Sequence, residues 1–213
     1  ADAAEEQNET LLRDKREVSL GLPKDGTSGS DEYSTPLWLL AVLIALFRLM
    51  FDVATSLANP NNRLFNGFYA LGRGEDGLTL PWLGRIFCNP PYSDLMAWTS
   101  KAAAEILAGN AEIVVMVLPC RLGNDWFFKN IYHCDFCQWF PLRDRVAFGG
   151  RDGGGNFDTI VAVWRRPGTP PVVDERALSL AIGEARAEHY AQREAARRAD
   201  RERKKSVRLM RKA

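Results

Sequence analysis

The run Glu112-Ile113-Val114-Val115-Met116-Val117-Leu118 constrains the fold more than any other stretch of the chain. After its single acid it is apolar without a break and rich in β-branched residues, so it cannot present one wet and one dry face. A strand of this kind is buried on both sides, the situation of a central strand in a parallel sheet covered by helices. The flanking segments agree. Asp94 to Ala108 carries Leu95, Trp98, Ala102 and Ile106 at helical spacing and stops at Gly109-Asn110. Asn124 to Ile131 reads as helix, Asp135 to Phe140 as strand and Asp158 to Trp164 as another strand. Arg85 to Cys88 and Leu49 to Ala54 read as earlier short strands. Alternating strands and helices predict an α/β sheet, mostly parallel, and two strands in succession at the end predict an antiparallel hairpin on its edge.

The rest of the chain hangs on this frame. Residues 1–30 are polar, and residues 1–35 hold nine acids against four bases, which predicts a mobile acidic arm. Thr35-Pro36 opens a helix, with the threonine as its cap and the proline in its first turn. The apolar run of that helix, Leu37 to Phe47, ends at Arg48, well short of the roughly 20 residues a membrane span needs, so it reads as a buried helix and no membrane is expected as a partner. Residues 55–84 read as loop, with only Phe65 to Leu71 strand-like. Pro167 to Pro171 turns the chain away from the sheet, and from Asp174 one long helix follows. It lacks a wide apolar stripe, which predicts that it does not pack along its whole length. Three regions result: an arm at 1–30, a domain at 31–167, and a linker with a basic helical tail at 168–213.

Cys88, Cys120, Cys134 and Cys137 lie in or beside apolar runs rather than at framework spacings, so they read as reduced thiols of a cytoplasmic protein. His133-Cys134-x-x-Cys137 has a spacing found in zinc sites but lacks a convincing set of four ligands, and no metal is expected.

Asn89-Pro90-Pro91-Tyr92 follows the strand ending at Cys88 and precedes the helix from Asp94, which places it at the carboxyl edge of the sheet, where α/β folds bind ligands. Two prolines hold the backbone extended, so the Asn89 side chain and the Pro90 carbonyl can point into one crevice with Tyr92 beside them. An amide oxygen and a carbonyl are two acceptors suited to one planar amine with two N–H donors, and the tyrosine ring offers a face for stacking. Aligned acceptors favour a pyramidal nitrogen whose lone pair points at an electrophile. Proximity and orientation then supply much of the barrier reduction, about 7–11 kcal/mol at best. No covalent intermediate is needed, so Cys88 reads as a packing residue.

Several ordered blocks resemble the phage-type DNA N-6-adenine methyltransferases. They are Asp31-Glu32-Tyr33-Ser34-Thr35-Pro36, Phe51-Asp52-Val53-Ala54 with Asn59-Pro60, Glu75-Asp76-Gly77-Leu78 with Trp82, Arg85 to Ser93 around the Asn-Pro-Pro-Tyr string, Leu118-Pro119-Cys120-Arg121 with Asp125-Trp126-Phe127, and Arg145 to Gly149 with the last strand. The likeness runs over residues 31–164. It implies a Rossmann-like sheet, S-adenosylmethionine as cofactor and DNA as partner. Tyr33, Thr35 and Pro36 would then lie near the methionine end of the cofactor, Asp52 at the end of the first strand, and Asp76 would be similar to an acid reading cofactor adenine or ribose. Asn89, Pro90, Pro91 and Tyr92 are the candidate catalytic residues. The target base would be flipped out of the duplex, since a stacked base cannot reach such a pocket.

Two departures stand out. Thr55-Ser56-Leu57-Ala58 occupies the place of a glycine-rich loop, and the first half is short of one strand-helix unit. For DNA contact the candidates are Arg121, Arg143, Arg145 and Asn156 near strand ends, the Gly-rich loop from Arg145 to Asn156, and Arg203, Lys204 and Lys205 in the basic tail, where nine bases face two acids between Arg197 and Lys212. RNA adenine or a protein glutamine amide presents a similar amine, and a non-catalytic DNA-binding scaffold would keep the fold, so both remain open here, as does the oligomeric state.

Overall fold

The computed structural model describes residues 34–149, 157–171 and 173–210. The arm at 1–30, Tyr33, Asn156 and most of the glycines of the 145–156 loop lie outside these residues. The described elements are α1 (Leu37–Phe47), β1 (Phe51–Asp52), β2 (Gly67–Phe68), β3 (Gly84–Cys88), α2 (Leu95–Leu107), β4 (Ala111–Pro119), α3 (Asp125–Phe127), β5 (Cys137–Pro141), β6 (Thr159–Arg165) and α4 (Glu175–Met210).

Six strands form one sheet in the order β2-β1-β3-β4-β6-β5. β1 pairs in parallel with β2 and β3, and β3 with β4, while β6 runs antiparallel between β4 and β5. This is the mostly parallel, Rossmann-like sheet expected, with the closing hairpin on one edge. Strand parity sends side chains to two separate cores. Ile86, Cys88, Val114, Met116, Leu118, Ile160 and Trp164 pack with α2 and α3 on one face. Phe87, Ile113, Val115, Val117, Val161 and Val163 pack with α1 and the start of α4 on the other. Every residue of β4 from Ile113 to Leu118 is at most 1% exposed, as an unbroken apolar run requires.

The first half of the sheet is abbreviated. Only a 3₁₀ turn, Pro60–Leu64, joins β1 to β2, and another, Leu71–Arg73, starts the connection to β3. The strands expected at 49–54 and 65–71 are two residues each, Phe51–Asp52 and Gly67–Phe68. The helix expected over Asn124 to Ile131 is one α turn, Asp125–Phe127, running into a π turn at Phe128–Tyr132. Wider winding there lets the Asn130 carbonyl accept from Trp164 Nε1 at 3.0 Å. Thr35 is not the cap of α1: Pro36 holds that position with ψ 137°, no side chain caps the helix, and Thr35 is turned inward and buried.

The long helix is a single 36-residue element. Its start docks through Leu178 and Ile182, which are buried against the α1 face of the sheet. Arg186, His189 and Arg193 farther along are half-buried, and Arg201 to Val207 are exposed. Among the described residues no helix is long and apolar enough to cross a membrane, and no group of three or more His, Cys, Asp or Glu is placed to hold a metal ion.

Candidate active site

Connections leave β1 and β3 in opposite directions, so the carboxyl ends of these neighbours mark the switch point of the sheet, where such folds form a crevice. A cavity of about 270 Å³ lies there, lined among others by Thr35, Asp52, Asn61, Asn89, Pro90 and Tyr92. The structure thus gathers residues of four of the predicted blocks, far apart in sequence and with Gly149 as the last, around one space.

The Asn-Pro-Pro-Tyr string is placed by its own chemistry. Pro91 sits at φ −56° and ψ 129°, a 3₁₀ turn follows over Tyr92–Asp94, and α2 begins only at Leu95, with Asp94 Oδ1 accepting from the Ala97 N–H at 3.3 Å. The prolines are buried and Asn89 and Tyr92 half-buried, so the string is anchored behind and open in front. The Tyr92 hydroxyl donates to Asn89 Oδ1 at 3.4 Å. Its ring meets Phe157 edge-on at 5.3 Å, and Phe157 stacks on Phe148 at 5.9 Å. Neither phenylalanine was singled out from sequence. Both belong to the far hairpin, and nothing local to them announces a shared wall.

Asp52 ends β1 at the floor of the cavity, only 3% exposed, and its Oδ1 accepts from the Ala54 N–H at 3.1 Å. Burial pushes its carboxyl up to about 7, against which the Ala54 hydrogen bond works. The unfolded carboxyl releases its proton near 4, so between about pH 4 and 7 the folded chain holds the extra proton and stability falls as pH rises. Asp52→Asn keeps the acceptor for Ala54 and removes this titration. Thermal melts of the ligand-free chain should therefore show the unsubstituted protein losing stability relative to Asp52→Asn between pH 5 and pH 8, and parallel curves would contradict the placement of Asp52. Burial likewise raises the Cys88 thiol, with Asp52 adding to the effect, which suits a packing role rather than a nucleophilic one.

The segment standing in place of a glycine-rich loop is stitched by side chains. Thr55 Oγ1 donates to Asn62 Oδ1 and receives from Asn59 Nδ2, both at 2.9 Å, and Asn62 Nδ2 donates to the Ser56 carbonyl at 2.9 Å. Asn61 Nδ2 reaches the Thr35 carbonyl at 2.9 Å and so ties the two walls of the cavity together. These asparagines were read from sequence only as loop formers, since their partners are set by the fold.

Other predicted residues are dispersed. Asp76 is not among the residues lining the cavity; its Oδ1 accepts from Leu78 N at 2.9 Å and shapes the turn that leads to Trp82. Arg121, Arg143 and Arg145 are exposed and follow the carboxyl ends of β4 and β5, on the same edge as Asn89, with Arg145 3.5 Å from Asp158. Arg203, Lys204 and Lys205 are exposed on α4, and Asp200 pairs with Arg203 at 3.4 Å and Lys204 at 2.6 Å. Cys134 and Cys137 are free thiols, Cys134 ahead of β5 and Cys137 at its first residue.

A family model described as DNA N-6-adenine-methyltransferase matches residues 24–168, well over half of the chain. The chain belongs to the DNA N-6-adenine-methyltransferase family. One relative, the DNA N-6-adenine-methyltransferase of Haemophilus phage HP1 (strain HP1c1), is 29% identical over 140 residues, covering 64% of this chain and 78% of the relative. The crystal structure of the 23S rRNA methyltransferase ErmE aligns with 73% of this chain and 78% of its own, at 14% identity and a TM-score of 0.45. Membership in the DNA N-6-adenine-methyltransferase family implies a methyl donor. Two features of the cavity fit one that carries both amine and hydroxyl groups. Thr35 Oγ1 is buried on its wall with no hydrogen-bond partner among the described residues, and Asp52 presents a buried carboxyl at its floor.

Proposed function

We propose that this chain transfers a methyl group from S-adenosylmethionine to the exocyclic amine of adenine in DNA, the base being flipped out of the duplex to reach the site. The observation that carries the reading is the opening of Asn89 and Pro90, at the end of β3, into the same cavity as Asp52 at the end of β1. Acceptors for an amine and a buried acid for a cofactor thus share one space, which is what in-line transfer between two bound molecules needs.

Each residue has a role in this reading. Asn89 Oδ1 and the Pro90 carbonyl accept the two amine hydrogens and turn the nitrogen lone pair toward the cofactor side. The Tyr92 hydroxyl steadies the Asn89 amide, while the Tyr92 and Phe157 rings give the base an aromatic wall to replace the stacking it loses. Thr35, Asp52 and Asn61 form the cofactor side, with Asp52 in its ionised state matched to an ammonium or a pair of hydroxyls. When bound, S-adenosylmethionine supplies an electrophilic sulfonium methyl. The proton leaving the methylated amine passes to water, since amide and carbonyl oxygens accept hydrogen bonds but are too weakly basic to hold it.

Transfer of tritiated methyl from S-adenosylmethionine to duplex DNA, RNA and protein tests this reading. Label is expected in DNA. Label found only in RNA or protein would overturn it.

A further inference from the structure

A groove of about 300 Å³ lies beside the cavity, walled by Trp38 of α1 and by His189, Tyr190 and Arg193 of α4. Ser34, Thr35, Pro60 and Asn61 line both spaces, so the groove adjoins the cavity along the wall that carries Thr35 and Asn61. None of the four residues from α1 and α4 has a part in the mechanism above.

The arrival of α4 at this point is built into the fold. Arg186 Nη1 donates to the Arg143 carbonyl at 2.6 Å and pairs with Asp144 at 3.2 Å, and its Nη2 donates to the Arg145 carbonyl at 3.4 Å. These bonds clamp the helix to the loop after β5, at the ligand-bearing edge of the sheet. One turn later the groove residues follow. The Trp38 and His189 rings lie 6.4 Å apart and tilted by 34°, His189 and Tyr190 are 5.4 Å apart, and the Arg186 guanidinium sits over Tyr190 at 5.6 Å. Three aromatic rings and a guanidinium, that of Arg193, thus face one slot. Stacking surface with a cation beside it is the chemistry that holds unpaired nucleotides, the rings taking a base and the cation its phosphate. Beyond Arg193 the helix runs roughly 25 Å farther, from Glu194 to Met210, and carries the exposed Arg197, Arg201, Lys204 and Lys205.

We infer that this groove seats a nucleotide of the DNA strand flanking the target nucleotide. The inference rests on the reading of the adjacent cavity as the adenine site. Extruding a base leaves its neighbour without a stacking partner. A slot that stacks that neighbour and neutralises its phosphate recovers part of the cost of flipping, and does so only for a strand already threaded into the cavity. The protruding basic end of α4 then serves as the electrostatic extension of the groove along the backbone rather than as an independent tail.

The test is fluorescence anisotropy of the full chain with duplex DNA at several salt concentrations, comparing the unsubstituted protein with Tyr190→Ala, Arg193→Ala and Arg193→Lys. S-adenosylmethionine affinity is measured by calorimetry on the same samples. Tyr190→Ala is expected to weaken DNA binding about tenfold. Arg193→Ala is expected to lower the slope of log affinity against log salt by about one, and Arg193→Lys to keep that slope. Cofactor affinity should be unchanged in all three, which also reports an intact fold. DNA affinities equal to the unsubstituted chain in both alanine variants, or a loss that falls on the cofactor instead, would overturn the inference. Methyl transfer to DNA by the unsubstituted chain is followed in parallel. Its absence would refute the reading of the cavity, whereas equal affinities across the variants refute the groove.

Discussion

Asn89→Ala is expected to slow methyl transfer by about 10³-fold, with the loss in kcat rather than in KM. The side chain is half-buried at the mouth of the cavity and its neighbours Pro90 and Pro91 carry the packing, so truncation should leave the melting temperature nearly unchanged. In the proposed arrangement, what disappears is one of the two acceptors for the amine. With one acceptor the nitrogen stays closer to planar, its lone pair remains delocalised into the ring, and the attacking geometry is lost. The Tyr92 hydroxyl loses its bond to Asn89 Oδ1 in the same step, but Tyr92 borders the cavity, where water can replace that bond. Asn89→Asp keeps an acceptor oxygen in place and should retain a larger share of the rate than alanine. Single-turnover rates with saturating cofactor read this directly. Unchanged turnover in Asn89→Ala would mean that the string is only a turn.

The largest effect on stability is expected from Gly77→Ala. A Cβ at this position would lie 2.0 Å from the Val53 carbonyl oxygen and 3.0 Å from the Trp98 ring. Val53 cannot retreat easily, since it follows β1 directly and its N–H donates to the Phe87 carbonyl of β3 at 3.2 Å. Trp98 cannot either, being 1% exposed and stacked on Trp82 at 6.1 Å. The Gly77 carbonyl also accepts from Trp82 Nε1 at 2.7 Å, so movement of the glycine strands a buried donor. Overpacking at a site with three rigid neighbours should cost about 3 kcal/mol or more. For a chain of this size that lowers the melting temperature by roughly 6–12 °C. Gly183 provides the contrast. It lies inside α4 with open space where a Cβ would go, and Gly183→Ala should stabilise by up to about 1 kcal/mol through helix propensity. Equal melting temperatures for the two variants would contradict the close approach at Gly77.

The parts of the molecule legible in sequence are those whose pattern is contiguous. β4 is an unbroken apolar run, α2 keeps one spacing between its cap and Gly109, and the Asn-Pro-Pro-Tyr string lies between two such elements, so its place on the carboxyl edge followed from local order alone. Contacts between distant segments were not legible. Thr35 looked like a cap because threonine before a proline and an apolar run is a helix start, yet Pro36 takes the cap position and the threonine hydroxyl turns to the cavity wall. The departure from a glycine-rich loop was visible, but its replacement by Asn59, Asn61 and Asn62 depends on Thr55, Ser56 and Thr35 as partners. The docking of α4 rests on two apolar residues and on Arg186 reaching backbone carbonyls of another loop, and carbonyl acceptors leave no trace in residue type. Resemblance carried the reading furthest where geometry was silent. It named Asp52, which the fold places at the floor of the cavity, and Asp76, which the fold uses to shape a turn.

An Asn-Pro-Pro-Tyr site presents acceptors to any planar amine, so the account turns on which base receives the methyl group. Enzymatic digestion of duplex DNA incubated with the full chain and isotopically labelled S-adenosylmethionine, followed by mass spectrometry of the nucleosides, decides it. The account predicts label in N6-methyl-2′-deoxyadenosine of the DNA digest, absent when Asn89→Ala replaces the unsubstituted chain. Label in a methylated cytosine, or a DNA digest without label, would contradict it.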